Sequence, residues 1–486
     1  MKSLRSPRHA AVAFTAFTTL VAALGAAGPA AAAPEQPAPD TQTQASPDTL
    51  RVVNYNTMLL SKWMTLDNSQ FNNQARVRGM LDNGFLDGQD VVVLEELFNV
   101  DTSKQLLNGL YEKGYRYQTR VVGASKWDGT HGRDWDAEHI NGGGLENGGV
   151  AVVSRHPIEV AEQQVFAKGC AADKHAQKGF AYAKINKGGH VFHLVGTHPQ
   201  ATDSGCGTRK DAADVRATQF EEIDRFLAGK EQRNEVGANE PVLLAGDFNV
   251  DRATPEYGDM LGRLHATDGR RGGEPHSFDP KNNELAKIRY PDDPPEDLDF
   301  ALQRQGHAQL KDWAGEVVRP RAGSAITVEG RTGPGGIFVK DQVRDLSDHY
   351  ALAASGRFPE QTGQPWKLRV DNVRMTKGDE QDGTGDDLYG DVTVNGHYVW
   401  SVARNRSLDD KKFPYDLPSV AHDYLTSGDG RFSLRAHIVD NDGVGDDVLV
   451  DQTISWDAAK DTPGTHTTTV TGPYGAAEIT YTVERA

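Results

Sequence analysis

The sequence predicts a layered α/β sandwich followed by a small all-β sandwich, and three observations carry that expectation. From residue 50 to 358, short apolar runs alternate with amphipathic stretches. The composition then shifts at "RFPEQTGQPW" (357–366), a Pro/Gly/Gln linker. Beyond it, alternating strands recur with Gly and Asp turns and little helical pattern. A chain of 486 residues is too long for one core, which agrees with two domains, 48–357 and 367–486, joined by 358–366.

The N-terminus reads as an export signal. Lys2, Arg5 and Arg8 precede "AVAFTAFTTLVAALGAAG" and a run of small residues, so residues 1–32 are expected to be a cleaved signal peptide. This Ala/Thr-rich stretch is weaker than the roughly 20 strongly apolar residues of a membrane span. Residues 33–47, rich in Pro, Gln, Thr and Asp, have the composition of a disordered leader. In the first domain, "LRVVNYNTM", "DVVVLEELF", "GGVAVVS", "FAYAKI", "VFHLVGTH" and "PVLLAGDFNV" read as strands. "ADVRATQFEEIDRFLAG" places Val215, Phe220, Ile223 and Phe226 on one helical face. The chain is acidic, with formal net charge −17 and 37% hydrophobic residues. It lacks the basic excess of tight, sequence-independent DNA binding, which weakens a nuclease reading. Cys170 and Cys206 are the two cysteines. In an exported chain they are either a disulfide or two free thiols, and a metal site would want more ligands.

The second domain contains an internal echo. "DGTGDDLYGD" and "DGVGDDVLVD" repeat Asp382, Asp386, Asp387 and Asp391 as Asp442, Asp446, Asp447 and Asp451. Clustered carboxylates repel unless a hard cation or water separates them, so these eight residues are candidate Ca²⁺ ligands. The alternative is two solvated turns whose Asp and Gly serve backbone geometry.

Polar residues interrupt the ends of the first domain's apolar strands. They are Asn56, the pair Glu95 and Glu96, His198, Asp247 and Asn249 in "GDFNVD", Asp299, and Asp348 with His349. In a sandwich of this kind, strand ends converge on one rim. Carboxylates, amides and two histidines there fit metal-assisted attack on a phosphodiester. A carboxylate-held Mg²⁺ draws charge from the phosphoryl oxygen, and a histidine takes a proton from water.

"GDFNVD", "SDHY", "GTHPQ" and the early Asn/Glu pair resemble the endonuclease/exonuclease/phosphatase superfamily. More specifically, "VFAKGC", "KGFAYAKI", "GTHPQATDSGCG" and "LAKIRYPDDPPEDLDFAL" look like the secreted bacterial neutral sphingomyelinases along nearly all of 48–356. The resemblance implies a DNase I-like four-layer α/β sandwich, a Cys170–Cys206 disulfide, and hydrolysis of sphingomyelin to ceramide and phosphocholine. It implies Mg²⁺ as cofactor, with Mn²⁺ or Co²⁺ as substitutes. Glu96 would be the main metal ligand, with Asn56 beside it, because Glu95 stands where these enzymes can carry an amide. His349, oriented by Asp299 or Asp348, would be the general base, and His198 would stabilise or protonate phosphate oxygens. Asp247 and Asn249 would hold the phosphate and the hydrated metal.

Two departures from the family pattern stand out. Asn147 replaces the usual Asp before Gly-Gly, which removes a carboxylate that would make His198 more basic. The hairpin "SAITVEGRTGPGGIFVKD" offers for membrane contact only Ile337 and Phe338, which are either a modest interfacial anchor or part of the sheet packing. The expected partner is sphingomyelin in a membrane surface, with no nucleic acid and no protein partner inferred. An extracellular nuclease of the same superfamily and a non-catalytic lipid-binding toxin are the rival functions.

Overall fold

A computed structural model describes residues 48–61, 69–123, 146–331, 337–360, 366–379, 385–402, 404–422, 424–427, 430–442 and 446–485. The expected signal peptide and leader lie outside the described residues, as does Asp382. The chain begins with β1 (Thr49–Leu59), α1 (Asn73–Asp82), β2 (Val91–Leu97), α2 (Val100–Glu112), β3 (Tyr117–Gln118) and β4 (Ala151–Ser154). It continues through β5 (Ile158–Val165), β6 (Gly179–Lys187), β7 (His190–Thr197), α3 (Arg209–Gln232), β8 (Val242–Asp247) and α4 (Pro255–Arg263). Then come β9 (Ala266–Asp268), β10 (Arg270–Gly273), α5 (Glu284–Arg289), β11 (Asp299–Arg304) and β12 (Lys311–Val318). The hairpin β13 (Arg321–Arg331) and β14 (Phe338–Asp345) follows, and β15 (Ala351–Arg357) closes this part.

Two sheets face each other. One has the order β10-β12-β15-β1-β2-β4-β3 and the other β5-β6-β7-β8-β11-β9. Alternation along the strands decides what fills the space between them. Leu50 and Val52 of β1, Val91 and Val93 of β2, Leu243 and Ala245 of β8 and Ala301 of β11 share the core between the sheets. The intervening residues turn outward. Val53, Tyr55, Val92 and Leu94 meet Val77 and Met80 of α1 and Leu106, Leu107 and Leu110 of α2. On the far side, Leu244, Phe300 and Leu302 meet Phe220, Ile223 and Leu227 of α3 and Met260 of α4. The result is the expected four-layer α/β/β/α sandwich.

Each helix has a local reason to start. Thr208 and Asp211 form a reciprocal capping box at α3, and Asn99 caps α2 through the Thr102 N–H. Fully buried Arg76 of α1 donates to the carbonyls of Phe71, Thr57 and Leu346, tying the end of β1 to the chain before β15. Cys170 and Cys206 are joined in a disulfide. Closing a loop of this length contributes roughly 3–4 kcal/mol.

The C-terminal region is all-β, with two five-stranded sheets among the described residues. One is built on Trp366–Lys377 and Ala476–Arg485, the other on Asp386–Val394, Arg431–Asp440 and Asp447–Asp457. They enclose a separate core that includes Leu368, Val370, Val392, Leu434, Trp456 and Ile479.

A buried ion cluster pins the edge of the first domain. The carboxylate of Asp90 accepts from the Arg51 N–H, from Lys187 Nζ at 2.7 Å and from His156 Nε2 at 2.8 Å. Burial would raise its pKa, but the His156 and Lys187 contacts outweigh burial and hold it below the ordinary value. Its stabilising contribution is therefore present above about pH 4 and fades as the pH falls through the lowered value. Asp90→Ala leaves Lys187 buried and uncompensated, which should cost about 3 kcal/mol at neutral pH. Urea unfolding should show that loss at pH 7 and a smaller one near pH 3.

Candidate active site

The apolar alternation between the sheets is broken at one end by polar residues on the same inward face. On β1, Asn54 and Asn56 continue the face of Val52, and on β2 Glu95 continues that of Val93. On β8, Asp247 continues the face of Ala245, and on β11 Asp299 shares that of Ala301. Register brings them side by side, with Asn56 opposite Glu95 in the parallel β1–β2 pair and Asp247 opposite Asp299 in the antiparallel β8–β11 pair.

Asp247 is the centre of the network. Its Oδ2 accepts from Asn56 Nδ2 at 3.0 Å and lies 3.6 Å from His198 Nε2 and 3.7 Å from His349 Nε2. Its Oδ1 accepts from the Asn249 N–H at 2.9 Å. Burial pushes this carboxyl up to about 6 against the favourable charge of His349. Asn249 has a left-handed backbone (φ 54°) and donates from Nδ2 to the Pro199 carbonyl at 3.1 Å. Phe248 points the other way, fully buried beside Phe220 and Phe300.

His349 Nδ1 donates to Asp299 Oδ2 at 2.9 Å, and Asn54 Nδ2 donates to Asp299 Oδ1 at 3.0 Å. Of the two carboxylates considered for orienting this ring, Asp299 makes the contact, while Asp348 accepts from the Ser347 hydroxyl. Burial depresses the His349 pKa, but Asp247 and Asp299 outweigh it and hold the group well above its ordinary value.

His198 has the opposite balance. It is 2% exposed, and burial together with Lys178 and His349 holds it well below the ordinary value. Lys178, which strand reasoning passed over, places its ammonium 3.1 Å from His198 Nε2, 3.1 Å from the Pro199 carbonyl and 2.9 Å from Asp173 Oδ2. Those three acceptors use all three ammonium protons, so Nε2 of His198 accepts and its proton sits on Nδ1. Nδ1 has no hydrogen-bond partner among the described residues. Asn147, expected near this ring, instead accepts from the Gly149 N–H.

Consecutive residues on β2 both reach the site because the chain turns there. Glu96 adopts φ 57°, a left-handed conformation that costs a non-glycine residue about 1–2 kcal/mol. Burial and then Asp348 push its carboxyl up to about 7. Glu95 is 0% exposed, and both its oxygens lack a hydrogen-bond partner, as does Oδ1 of Asn54. Orphaned oxygens beside Asp247, Asp299 and His349, whose ligand atoms lie within 4.8 Å of one another, suit a hard divalent cation.

The other residues considered at the sequence level fall elsewhere. Ile337 and Phe338, at the β13–β14 hairpin, are 74% and 46% exposed. In the C-terminal region, Asp391 and Asp451 both flank His437 in register and lie 3.8 Å and 3.3 Å from the Arg435 guanidinium. Asp446 pairs with Arg404, and Asp387 accepts from the Asp410 N–H. Asp442 and Asp447 approach Asp379, which also lies near Asp386 and Asp440. The carboxylates that converge thus include Asp386, Asp442 and Asp447 of the doubled motif, joined by Asp379 and Asp440 from outside it. Asp379 and Asp440 lie just before each copy of that motif.

Residues 55–349 match the model of the Endonuclease/Exonuclease/phosphatase family. The sphingomyelinase C of Bacillus cereus is 35% identical over 324 residues, 65% of this chain and 91% of its own. A phospholipase C of Staphylococcus aureus is 36% identical over 271 residues, 55% of this chain and 78% of its own. The crystal structure of sphingomyelinase C from Streptomyces griseocarneus aligns with a TM-score of 0.56 at 40% identity, covering 64% of this chain and 99% of that one. A mutant beta toxin of Staphylococcus aureus, crystallised with bound magnesium ions, aligns with a TM-score of 0.55 at 32% identity over 63% of this chain and 99% of its own. The chain belongs to the endonuclease/exonuclease/phosphatase family of phosphodiester hydrolases, in the branch of the bacterial sphingomyelinases C.

Proposed function

We propose that this chain is a secreted, Mg²⁺-dependent phosphodiesterase that hydrolyses sphingomyelin to ceramide and phosphocholine. The observation that carries the reading is the Asp247-centred cluster, with His349 on Asp299 and His198 on Lys178, in a chain aligned over its first domain with enzymes named for that activity. Glu96, with Asn56 beside it, would hold the Mg²⁺, which when bound supplies Lewis-acid polarisation of the phosphoryl and leaving oxygens. Residues 48–357 form the catalytic domain in this reading, and 367–486 a β-domain that assists contact with the membrane or another surface.

His349 takes the proton of the attacking water on Nε2 while Asp299 fixes its tautomer through Nδ1. The carboxylates that raise its pKa make it a strong base once neutral, and positive charge in the gap shifts it toward that state. His198 stays neutral and anchors Lys178, whose charge complements the phosphate oxygens. Asn249, held by Asp247 and the Pro199 carbonyl, stands on the phosphate side. Ile337 and Phe338 dip into the outer edge of the bilayer, a contact small enough to remain reversible. No described helix is long and apolar enough to cross a membrane.

The C-terminal carboxylates around Asp379 take Ca²⁺ in this proposal. The support is that Asp379, Asp386 and Asp440, and likewise Asp379, Asp442 and Asp447, bring ligand oxygens within 4.8 Å of one another.

A side-by-side assay on sphingomyelin, phosphatidylcholine and DNA tests the main reading. Phosphocholine release from sphingomyelin should vanish in EDTA and return with Mg²⁺; plasmid cleavage without lipid hydrolysis would instead favour a nuclease. His349→Ala should lower kcat by about 10²–10⁴-fold while the protein stays folded. Calcium should raise the melting temperature of the metal-free full chain, and Asp379→Asn should abolish that increment.

A further inference from the structure

We propose that a cavity between the first domain and the C-terminal region binds a small zwitterion, an ammonium group joined to a phosphate. The cavity has a volume of about 380 Å³, with Arg116, Tyr117 and Glu159 on one side and Asp391, Tyr398 and Arg435 on the other. Strand alternation explains why polar side chains face it. Leu388 and Val392 of the strand Asp386–Val394, and Leu434 and Ala436 of Arg431–Asp440, enter the C-terminal core. Asp391 and Arg435 therefore turn to the opposite face, which meets β3 and β5. The fit there is close. Tyr117 Oη lies 3.1 Å from His397 Nδ1, and the Tyr117 and Tyr398 rings stack 5° from parallel with centroids 6.2 Å apart. A Cβ on Gly396 would stand 2.3 Å from the Ile158 carbonyl oxygen.

Asp391 is the feature that calls for a ligand. It is 1% exposed, and neither of its carboxylate oxygens has a hydrogen-bond partner among the described residues. The Arg435 guanidinium stands 3.8 Å away, too far for a hydrogen bond, and donates to Asp451 at 3.3 Å instead. Burial, acting against Arg435, pushes the Asp391 carboxyl up to about 6. Glu159, by contrast, is already held by Lys184 and by Asn186 Nδ2. A cation brought to Asp391 compensates its buried charge, and the Tyr117 and Tyr398 rings favour an alkylated ammonium. A bare cation would also meet Arg116 and Arg435 in the same cavity. Those two guanidiniums suit a phosphate, so a neutral zwitterion answers both signs at once. Phosphocholine has this chemistry, either free or as the headgroup of a lipid. The inference goes beyond the proposed activity and stands apart from it, because binding in EDTA can be measured without any turnover.

Phosphocholine is the probe, titrated into the full chain in EDTA and followed by calorimetry. The wild type should bind it saturably, and choline or inorganic phosphate alone should bind about tenfold more weakly. Asp391→Asn and Arg116→Gln should each weaken phosphocholine by about tenfold or more, while His349→Ala should bind it as the wild type does. Circular dichroism shows whether Asp391→Asn folds; if it does not, Arg116→Gln decides, since Arg116 is exposed. No saturable binding, binding indifferent to the substitutions at Asp391 and Arg116, or binding lost in His349→Ala would overturn the site. Sedimentation with phosphatidylcholine vesicles then separates the two sources. Loss of vesicle binding in Asp391→Asn and Arg116→Gln assigns the headgroup of a membrane lipid, and unchanged sedimentation assigns the free zwitterion.

Discussion

Asp247 is the constraint around which the site is organised. One carboxylate, 1% exposed, is approached by Asn56, His198, His349 and the Asn249 backbone. Each of those groups comes from a different strand end, so the two sheets must meet correctly for Asp247 to be compensated at all. Burial disfavours its charge, and the surrounding donors and cations restore it. The apolar core behind it, from Val52 and Val93 to Leu243 and Ala301, fixes the spacing that those contacts require.

The two histidines show how one fold produces opposite behaviour from the same side chain. His349 lies against Asp299 and Asp247 and is held toward its charged form. His198 lies against a lysine and is held neutral. Their pKa values are driven apart by different neighbours, strand-end carboxylates for one and a lysine just before β6 for the other, the kind of arrangement that lets acid and base roles coexist in one pocket. The disulfide takes part indirectly, because the Cys170 N–H binds Gln200, Gln200 binds Asp173, and Asp173 holds Lys178.

Much of the first domain was readable because buried strands and the amphipathic helix α3 carry strong periodicity. Asp247, His198, Asp299 and His349 were readable as polar interruptions at strand ends. Lys178 was not, since its partners Asp173 and Pro199 sit on separate loops and nothing near it in sequence marks the meeting. Asn54 carried a signal in "VVNYNT", two amides alternating within an apolar strand, which only Asn56 was taken to represent. The left-handed backbone at Glu96, which brings two consecutive glutamates toward the site, is a conformation that residue preferences do not forecast for glutamate. In the C-terminal region the doubled spacing of aspartates was visible, but strand pairing decides which carboxylates meet. Asp391 and Asp451 were drawn to Arg435, and Asp379 and Asp440 joined the cluster from outside the repeat.

The pairings Asn56–Glu95 and Asp247–Asp299 have a consequence for assembly. If β2 slipped by one residue against β1, Glu95 would swing into the apolar layer beneath α2 and Leu94 would enter the polar gap. The wrong arrangement loses its compensation and its packing at the same step, at a cost of several kcal/mol for the stranded charge. Intermediate offsets are equally barred, because side-chain direction along a strand has only two settings. The charged cluster thus proofreads strand alignment as the sheets come together, and a chain that has folded has, by that fact, assembled its chemistry.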